Sequence, residues 1–280
     1  MSEQMLRIDG IELCAESFGN PNAPAILLIM GATASMIWWE DEFCQRLADR
    51  GRYVIRYDNR DVGRSTTYEP GCPEYTLEDM ADDTVRVLDG YGISQAHFVG
   101  MSLGGLLTML AAVRHPQKVL TATLVMTSAF APGLPPMEEK VEAFFAATAN
   151  VDLTNDQAAV DQTVEKWKIL KGSKHPCDEE RIRRLAFQEV RRANRLSSMF
   201  NHGLLTGGES DIARVHEIEA PALVIHGTED PILPYEHGVA LANQIPGAVL
   251  LTLEGTGHEL HRDDWERMID AIINHTARAQ

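Results

Sequence analysis

A serine lies between two glycines in the segment Gly100-Met-Ser102-Leu-Gly104, which fits the pattern Gly-x-Ser-x-Gly. The mostly apolar residues 96–99 before it predict a β-strand, and residues 106–113 after it predict a helix. A serine in so tight a strand-to-helix turn exposes its hydroxyl beside the free N–H groups of the helix start. The pattern therefore predicts a nucleophile at Ser102. The plainer alternative is a glycine-rich turn in which Ser102 only caps the helix.

A serine hydroxyl becomes a good nucleophile when a base removes its proton and an acid orients that base. His258 follows the apolar run 249–253, and Asp230 follows the apolar run 222–226. Serine, then acid, then histidine is the chain order expected when this kind of turn carries a catalytic triad. We therefore predict a triad of Ser102, Asp230 and His258, brought together at the carboxyl ends of parallel strands.

Neighbouring residues compete for two of these roles. Glu229 is an alternative acid, but in an extended turn it would point to the side opposite Asp230. His261 is an alternative base, although its position suggests that it begins the last helix. His97 and His226 lie within predicted strands, where a structural role is expected.

The negative charge that develops on an attacked carbonyl oxygen needs hydrogen-bond donors. One donor should be the backbone N–H of Leu103, the residue after the nucleophile. The other should come from the loop after the apolar run 25–30, where Gly31 lets the chain turn close to a substrate and Ala32 follows. We predict an oxyanion hole formed by the N–H groups of Ala32 and Leu103.

Short apolar runs alternate with helical patterns along the chain, which is typical of a doubly wound, mostly parallel α/β sheet with helices on both faces. The runs predicted as buried parallel strands are 24–30, 53–57, 96–100, 121–126, 222–226 and 249–253. Residues 5–18, with Asp9-Gly10 between two β-like runs, predict an antiparallel hairpin at the sheet edge. Helices are predicted from Trp38 to Arg50 and from Thr76, as its N-cap, to Leu88.

One block breaks this alternation. After residue 132, prolines and glycines introduce a stretch whose pattern is almost entirely helical up to about Gly208. The block is near neutral, so nearly all of the net charge of −16 lies in the rest of the chain. We interpret residues 1–132 and 209–280 as an α/β core and residues 133–208 as an inserted helical cap.

Aromatic side chains near the nucleophile are candidates for substrate contact, with packing of the core or cap as the alternative. The four candidates are Trp38, Trp39, Phe144 and Trp167. The cap is also rich in arginine, with residues Arg181, Arg183, Arg184, Arg191, Arg192 and Arg195. We expect these arginines to form a solvated helix face. The alternatives are an interface with an acidic partner subunit, which leaves a homodimer open, and contact with an anionic substrate.

Composition excludes several classes of protein. With 41 acidic and 25 basic residues in 280, the chain is a poor partner for nucleic acid. The longest nearly apolar stretch, 103–113, is about half the length of a membrane span, and residues 1–9 lack the apolar region of a secretory signal. The four cysteines form no C-x-x-C pair, and no H-E-x-x-H motif occurs. The sequence predicts a cytoplasmic protein that needs no metal or cofactor and binds no membrane.

Taken together, five segments resemble the α/β-hydrolase superfamily over nearly the whole chain. They are Met30-Gly31, the turn 58–65, residues 100–105, Gly227-Thr-Glu-Asp230 and Gly257-His258. A narrower resemblance is to the aclacinomycin methylesterase group. It rests on Met30-Gly31-Ala32, Trp38-Trp39, residues 54–65 and Lys166-Trp-Lys-Ile-Leu170. Members of that group hydrolyse methyl esters of anthracycline polyketides. The resemblance thus implies a carboxylesterase or methylesterase that acts on a small-molecule ester through an acyl-enzyme.

The same superfamily contains other activities, because a fold does not fix a chemistry. Epoxide hydrolases and haloalkane dehalogenases use aspartate as nucleophile, and Ser102 argues against both. Cofactor-free perhydrolases and carbon–carbon bond hydrolases keep the serine triad and stay open as alternatives. A ligand receptor with little turnover is a further alternative, although an intact triad favours catalysis.

Overall fold

The computed structural model describes residues 3–148 and 151–277, and in these eight strands form one sheet. The strands are β1 (Gln4–Ile8), β2 (Ile11–Phe18), β3 (Ala25–Ile29), β4 (Tyr53–Tyr57), β5 (Ala96–Met101), β6 (Val119–Val125), β7 (Ala222–Gly227) and β8 (Val249–Leu253). Their order across the sheet is β1-β2-β4-β3-β5-β6-β7-β8. β2 pairs antiparallel with β1 and β4, and the other neighbours are parallel. The predicted doubly wound, mostly parallel α/β sheet is confirmed.

Helices join the strands, as the alternating pattern predicts. The α-helices of the described residues are α1 (Asp41–Asp49), α2 (Leu77–Gly90), α3 (Leu103–Arg114), α4 (Glu139–Thr148), α5 (Asp156–Leu170), α6 (Glu179–Arg192), α7 (Glu209–Ile212), α8 (Glu236–Gln244) and α9 (Trp265–Thr276). Short 3₁₀ helices span Met36–Trp38, Pro116–Lys118, Leu196–Leu204, Val215–Glu217 and Arg262–Asp264.

Local signals in the sequence have visible structural counterparts. Asp9 and Gly10 have φ values of 51° and 85°, as a tight hairpin turn between β1 and β2 requires. Thr76 accepts a hydrogen bond from the N–H of Asp79, whose side chain accepts one in return from the N–H of Thr76. This capping box sets the start of α2 where the sequence predicted it.

The helix predicted from Trp38 to Arg50 begins later than expected. A 3₁₀ turn ends at Trp38, and α1 begins only at Asp41. Trp39 has a non-helical ψ of 81°, and its carbonyl oxygen accepts a hydrogen bond from the buried Arg56 guanidinium instead of continuing a helical ladder. Burial of both tryptophans against the sheet thus overrides the local helical pattern.

Both faces of the sheet are covered, which explains why its strands read as continuous apolar runs. Along β3, Leu27 and Ile29 belong to one hydrophobic cluster, which also holds the buried faces of α2 and α3. Ile26 and Leu28 belong to a second cluster, which includes residues of α1 and α9. Side chains of a strand alternate between its faces, so one short strand contributes to two cores.

The functional region lies where the strand order reverses. β3 lies between β4 and β5, so the chain leaves β3 towards one side of the sheet and later returns on its other side at β5. Open α/β sheets bind ligands beside the carboxyl ends of strands at such a reversal. The loop after β3 and the turn after β5 are therefore neighbours, although about 70 residues separate them in sequence.

Helices α4, α5 and α6 and the 3₁₀ helix Leu196–Leu204 lie between β6 and β7, within the segment interpreted as a cap. Two of its arginines are not on a solvated face, so that interpretation is wrong for them. Arg181 donates to Glu40 at 2.6 Å, and Arg192 donates to Asp58 at 2.7 Å. These buried ion pairs join residues 133–208, which we call the insertion because they lie between β6 and β7, to loops of the core. Such pairs cost several kcal/mol if one partner is removed, because a buried charge is then left alone.

Candidate active site

Ser102 occupies a strained turn between β5 and α3. Its φ of 52° and ψ of −118° are unusual for a residue with a side chain. A methyl group on Gly104 would lie 2.1 Å from the carbonyl oxygen of Ile29, and one on Gly100 would lie 2.0 Å from that of Gly104. The glycines are therefore required by close backbone contacts, and the turn they permit presents the Ser102 side chain to a cavity.

His258 and Asp230 meet at the ends of β8 and β7. His258 Nδ1 donates to Asp230 Oδ2 at 2.7 Å, and both residues are buried. The other oxygen, Asp230 Oδ1, accepts from the N–H groups of Ile232 and Leu233, each at 2.9 Å. The carboxylate is thus fixed on both sides, which directs His258 Nε2 away from it.

Ser102 and His258 line the same cavity. Among the hydrogen bonds of residues 3–148 and 151–277, none joins Ser102 Oγ to the His258 ring. In unliganded enzymes this bond is often long and tightens when substrate binds. The structure therefore places all three predicted triad residues together, with the acid and the base already in contact.

The competing residues lie elsewhere. Glu229 accepts hydrogen bonds from the N–H and Oγ of Ser173, at 2.6 and 2.7 Å, and thus contacts the insertion. His261 stacks on His175 with ring centroids 4.1 Å apart and does not line the Ser102 cavity. These contacts give both residues structural roles.

The two strand histidines are also held in place. His97 Nδ1 lies 3.0 Å from Thr121 Oγ1, and burial lowers the pKa of His97 to about 4. His226 Nε2 donates to the carbonyl oxygen of Leu233 at 2.7 Å. Burial lowers the pKa of His226 as well. Neither ring faces the Ser102 cavity.

The loop after β3 approaches the nucleophile closely. A methyl group on Gly31 would lie 3.2 Å from Ser102 Cβ, so only glycine allows this distance without adjustment. Ala32 is exposed to the cavity beside it, and Leu103 begins α3. Within the described part of the chain, neither the Ala32 N–H nor the Leu103 N–H donates to a protein acceptor. Both predicted donors are therefore available to a bound oxygen atom.

Sequence reasoning missed the residues that hold this loop. The N–H of Thr33 donates to His202 Nδ1 at 3.1 Å, and His202 Nε2 donates to the carbonyl oxygen of Arg60 at 2.7 Å. Two residues further on, Ser35 Oγ donates to Glu189 at 2.8 Å. His202 and Glu189 both belong to the insertion, and no motif or spacing in the sequence marks either of them.

A cavity of about 640 Å³ opens above Ser102, within the size range of small-molecule sites. Its wall is mostly apolar and comes from both the core and the insertion. The insertion supplies Met137, Phe144, Phe145, Trp167, Leu170 and Phe200. The structure thus places two of the predicted substrate contacts, Phe144 and Trp167, in the cavity wall.

The other two predicted contacts lie behind that wall. Trp39 is 1% exposed and packs against Phe43, with ring centroids 5.3 Å apart. Trp38 packs against Trp167 at 4.8 Å, and its indole N–H donates to Glu189 at 2.8 Å. Neither indole is part of the cavity lining, so the structure corrects the expectation that they contact substrate. Burial of the segment against the sheet explains the difference.

One group of candidate metal ligands occurs in the described residues, and it lies outside the Ser102 cavity. It consists of His175, His261 and Asp263. The two imidazole rings are parallel to within 1°, and one stacks on the other. Two stacked rings cannot both point an in-plane lone pair at a single ion, so this arrangement is a stacked histidine pair and not an assembled metal centre.

Comparison with known proteins places this geometry in a family. The family model of the alpha/beta hydrolase fold matches residues 24–264. The chain belongs to the α/β-hydrolase family. Two rhodomycin D methylesterases, DauP of a Streptomyces sp. and DnrP of Streptomyces peucetius, are each 32% identical to this α/β-hydrolase over 100% of its length and 99% of theirs. These relatives confirm the resemblance to a methylesterase group.

Solved structures agree on the fold of this α/β-hydrolase. An esterase from Rhodococcus sp. superimposes with a TM-score of 0.80 at 20% identity, covering 100% of both chains. An enol-lactonase from Burkholderia xenovorans superimposes with a TM-score of 0.75 at 22% identity, covering 98% of this chain and 100% of the other. Among the described residues, no helix has the length and apolar character needed to cross a bilayer.

The buried Glu189 of this α/β-hydrolase leads to a prediction about pH. Burial raises the pKa of Glu189 to about 7, although its hydrogen bonds from Ser35 and Trp38 oppose the shift. In the unfolded chain the carboxyl titrates lower, near its ordinary value. The unfolded chain therefore releases this proton first as pH rises. The protonated Glu189 carboxyl therefore stabilises the folded state fully below about pH 4.5, and this contribution to the free energy of unfolding is lost as pH rises through about 7.

Glu189→Gln should remove this dependence. The two pKa values correspond to a contribution of roughly 3 kcal/mol to the difference in unfolding free energy between acidic and alkaline pH. Urea unfolding at about pH 5 and about pH 8 measures it, and we expect a smaller loss of stability between these values in the variant than in the wild type. Glu180→Gln, on the exposed side of the same helix, is the control. Equal losses in wild type and Glu189→Gln would contradict the prediction.

Proposed function

We propose that this α/β-hydrolase is a serine-dependent hydrolase of carboxylic esters, and a methylesterase in particular. The observation that carries the proposal is the cavity that holds Ser102 and His258, with Asp230 hydrogen bonded to His258 at 2.7 Å. The rhodomycin D methylesterases, similar along their whole length, support the choice of a methyl ester. We further propose that the reaction takes place in the cytoplasm and needs no cofactor.

In the proposed first half-reaction, Ser102 Oγ attacks the ester carbonyl carbon while His258 Nε2 takes the hydroxyl proton. The N–H groups of Ala32 and Leu103 donate to the carbonyl oxygen as it becomes negative. When the tetrahedral intermediate collapses, the bond to the leaving oxygen breaks. His258 returns the proton to that oxygen, which releases methanol and leaves the acyl group on Ser102.

The second half-reaction repeats these steps with water. His258 takes a proton from water as its oxygen attacks the acyl carbon, and then gives a proton to Ser102 Oγ as the acyl bond breaks. The products are the free acid and the restored hydroxyl. Asp230 keeps the proton of the neutral His258 ring on Nδ1, so that Nε2 is free to accept one in both halves.

Methanol release from methyl esters of aromatic acids, measured with the purified protein, tests the proposal. We expect turnover of such esters, and a burst of p-nitrophenol from p-nitrophenyl acetate that shows an acyl-enzyme. Cleavage of a vinylogous diketone with no methyl ester turnover would instead identify a carbon–carbon bond hydrolase. If the only activity found is the formation of a peroxyacid from acetate and hydrogen peroxide, the protein is a perhydrolase. No turnover of any of these would indicate a receptor.

We also propose that residues 133–208 act as the cap that selects the substrate. Phe144→Ala should lower kcat/KM for a bulky aromatic ester more than for an acetyl ester, because Phe144 lines the cavity. The ratio of the two values should change by about 10–200-fold, as expected for one lost apolar contact. Phe187→Ala is the matched control, since Phe187 is also in the insertion but 47% exposed and outside the cavity.

The measurement is kcat/KM for both esters with each folded variant. Equal losses for the bulky and the acetyl ester in Phe144→Ala would mean that this part of the insertion only supports the fold. An equal change of the ratio in Phe187→Ala would also count against a selective cap.

A further inference from the structure

The cavity contains a cation for which the proposed reaction has no use. Lys166 lies on α5 and lines the same cavity as Ser102. Its Nζ lies 3.4 Å from Thr33 Oγ1 and 5.6 Å from the centroid of the Trp167 ring. Within residues 3–148 and 151–277, no carboxylate forms an ion pair with it. The side chain of Lys166 is partly buried, and a lysine withdrawn from solvent usually has a carboxylate partner, so this arrangement calls for an explanation.

The next lysine along the helix shows the contrast. Lys168 lies on the outer side of α5 and pairs with Glu165 and Glu179, both at 2.9 Å. The cation at the surface has two carboxylates, whereas the one in the cavity has none. The stem of a lysine could carry its ammonium to solvent, but Lys166 lies between the Ser102 cavity and a smaller pocket that it shares with Thr33 and Glu189.

The carboxylate of Glu189 interacts electrostatically with Lys166, but its hydrogen bonds are made to other residues. It accepts from Ser35 Oγ and from Trp38 Nε1, both at 2.8 Å, and accepts no hydrogen bond from Lys166. Burial lowers the pKa of Lys166, and the charge of Glu189 only partly opposes this effect. The ammonium is therefore partly desolvated, with Thr33 Oγ1 as a hydrogen-bond acceptor and no carboxylate partner, which makes binding of an anion favourable.

The position of Lys166 relates it to the reacting ester. Thr33 directly follows Ala32, the proposed oxyanion donor, so the ammonium lies beside the loop that would hold the ester carbonyl. The insertion otherwise contributes mainly apolar and aromatic side chains to the cavity wall. A ligand that satisfies both features has an apolar body, an ester at Ser102 and an anionic oxygen within reach of Lys166.

We propose that Lys166 binds an ionised acidic group of the substrate, a carboxylate or a phenolate, and so selects acidic aromatic esters over neutral ones. This inference rests on the proposed ester hydrolysis and specifies its substrate class. Charge-assisted hydrogen bonds are stronger than neutral ones, and a desolvated ammonium gains most from them.

Matched substrates test the preference. The monomethyl ester of a naphthalenedicarboxylic acid carries a carboxylate, and the dimethyl ester of the same acid does not. In Lys166→Met, the ratio of kcat/KM for the monomethyl to that for the dimethyl ester should fall about 10–100-fold, the effect of one hydrogen bond to a charged group. Lys166→Arg should restore part of the ratio, and Lys168→Met should leave it unchanged.

A methyl hydroxynaphthoate made acidic by a nitro group, so that its phenol ionises near neutral pH while Lys166 is still charged, separates phenolate from carboxylate recognition. A gain in kcat/KM on ionisation in wild type that is lost in Lys166→Met identifies the phenolate as the bound group. If Lys166→Met lowers the monomethyl-to-dimethyl ratio but leaves the gain on ionisation of the phenol unchanged, the bound group is the carboxylate. If Lys166→Met changes neither the monomethyl-to-dimethyl ratio nor the gain on ionisation of the phenol, the proposal is overturned. If this variant does not fold, Lys166→Gln takes its place.

A binding measurement keeps this proposal separate from the proposed function. Naphthoate cannot be hydrolysed, and quenching of tryptophan fluorescence reports its binding because Trp167 adjoins Lys166 in the cavity wall. We expect naphthoate to bind wild type about tenfold or more tightly than naphthamide, and Lys166→Met to lose this difference. If no ester is hydrolysed but the difference holds, only the proposed function fails. If esters are hydrolysed but Lys166→Met keeps the difference, only the anion site fails.

Discussion

Ser102→Ala is expected to lower kcat/KM for ester hydrolysis by at least about 10³-fold while the protein stays folded. The reason is chemical, because the proposed mechanism transfers the acyl group to Ser102 Oγ and alanine offers no atom for that bond. The remaining donors at Ala32 and Leu103 would still polarise a bound ester, so a small residual rate is expected. The measurement is ester turnover together with a thermal unfolding curve.

The strained backbone supplies a second arm for this experiment. Ser102 has a φ of 52°, which costs less for glycine than for any other residue. Ser102→Gly should be as inactive as Ser102→Ala but more stable than it, by roughly 1 kcal/mol. Ser197→Ala, which does not line the cavity, should keep full activity. Activity near the wild-type level in Ser102→Ala would mean that the nucleophile is another residue.

The architecture could be read from the sequence because its signals are local. Strands such as β3 and β4 are buried along their whole length, so they appear as continuous apolar runs. The turn at Ser102 could be read because its whole pattern lies within residues 100–104. Gly100 is required by a local contact with Gly104, whereas Gly104 is required by a contact with Ile29 of β3. Parallel strands then bring their carboxyl ends together, which predicts a meeting of Ser102, Asp230 and His258 before any distance is known.

The contacts between the insertion and the core could not be read in this way. His202 holds Thr33, and Glu189 holds Ser35, over separations of 169 and 154 residues. A helical pattern shows that a side chain lies on one face of its helix, but it does not say which loop that face meets. The same reason explains why Lys166, in the cavity, and Lys168, in surface ion pairs, look alike in the sequence.

These contacts change how the insertion relates to the chemistry. A cap that only covered a finished active site would affect binding alone. Here the loop that carries Ala32 is held by hydrogen bonds to two insertion residues, through its neighbours Thr33 and Ser35. Changes to His202 or Glu189 should therefore alter kcat through the position of the Ala32 N–H, in addition to any effect on stability.

Asp230→Asn is expected to lower kcat by about 10⁴-fold, as loss of the orienting carboxylate does in other serine triads. The surroundings of Asp230 explain why an isosteric change has so large an effect. Oδ1 accepts from the N–H groups of Ile232 and Leu233, so the carbonyl oxygen of an asparagine must take that position. Its amide nitrogen then faces His258 Nδ1 and donates to it. The ring proton moves to Nε2, the atom that accepts the proton of Ser102 in the proposed mechanism.

Glu229→Gln is the matched control, because the two carboxylates are adjacent and only Glu229 bonds to Ser173 of the insertion. We expect Glu229→Gln to change kcat less than about threefold, since it leaves the tautomer of His258 alone. Ester turnover of both variants, with unfolding curves to show that each is folded, decides between the two acids. A loss of less than tenfold in Asp230→Asn would show that Asp230 does not orient the base. A large loss confined to Glu229→Gln would transfer that role to Glu229, although the 2.7 Å bond from His258 to Asp230 opposes this outcome.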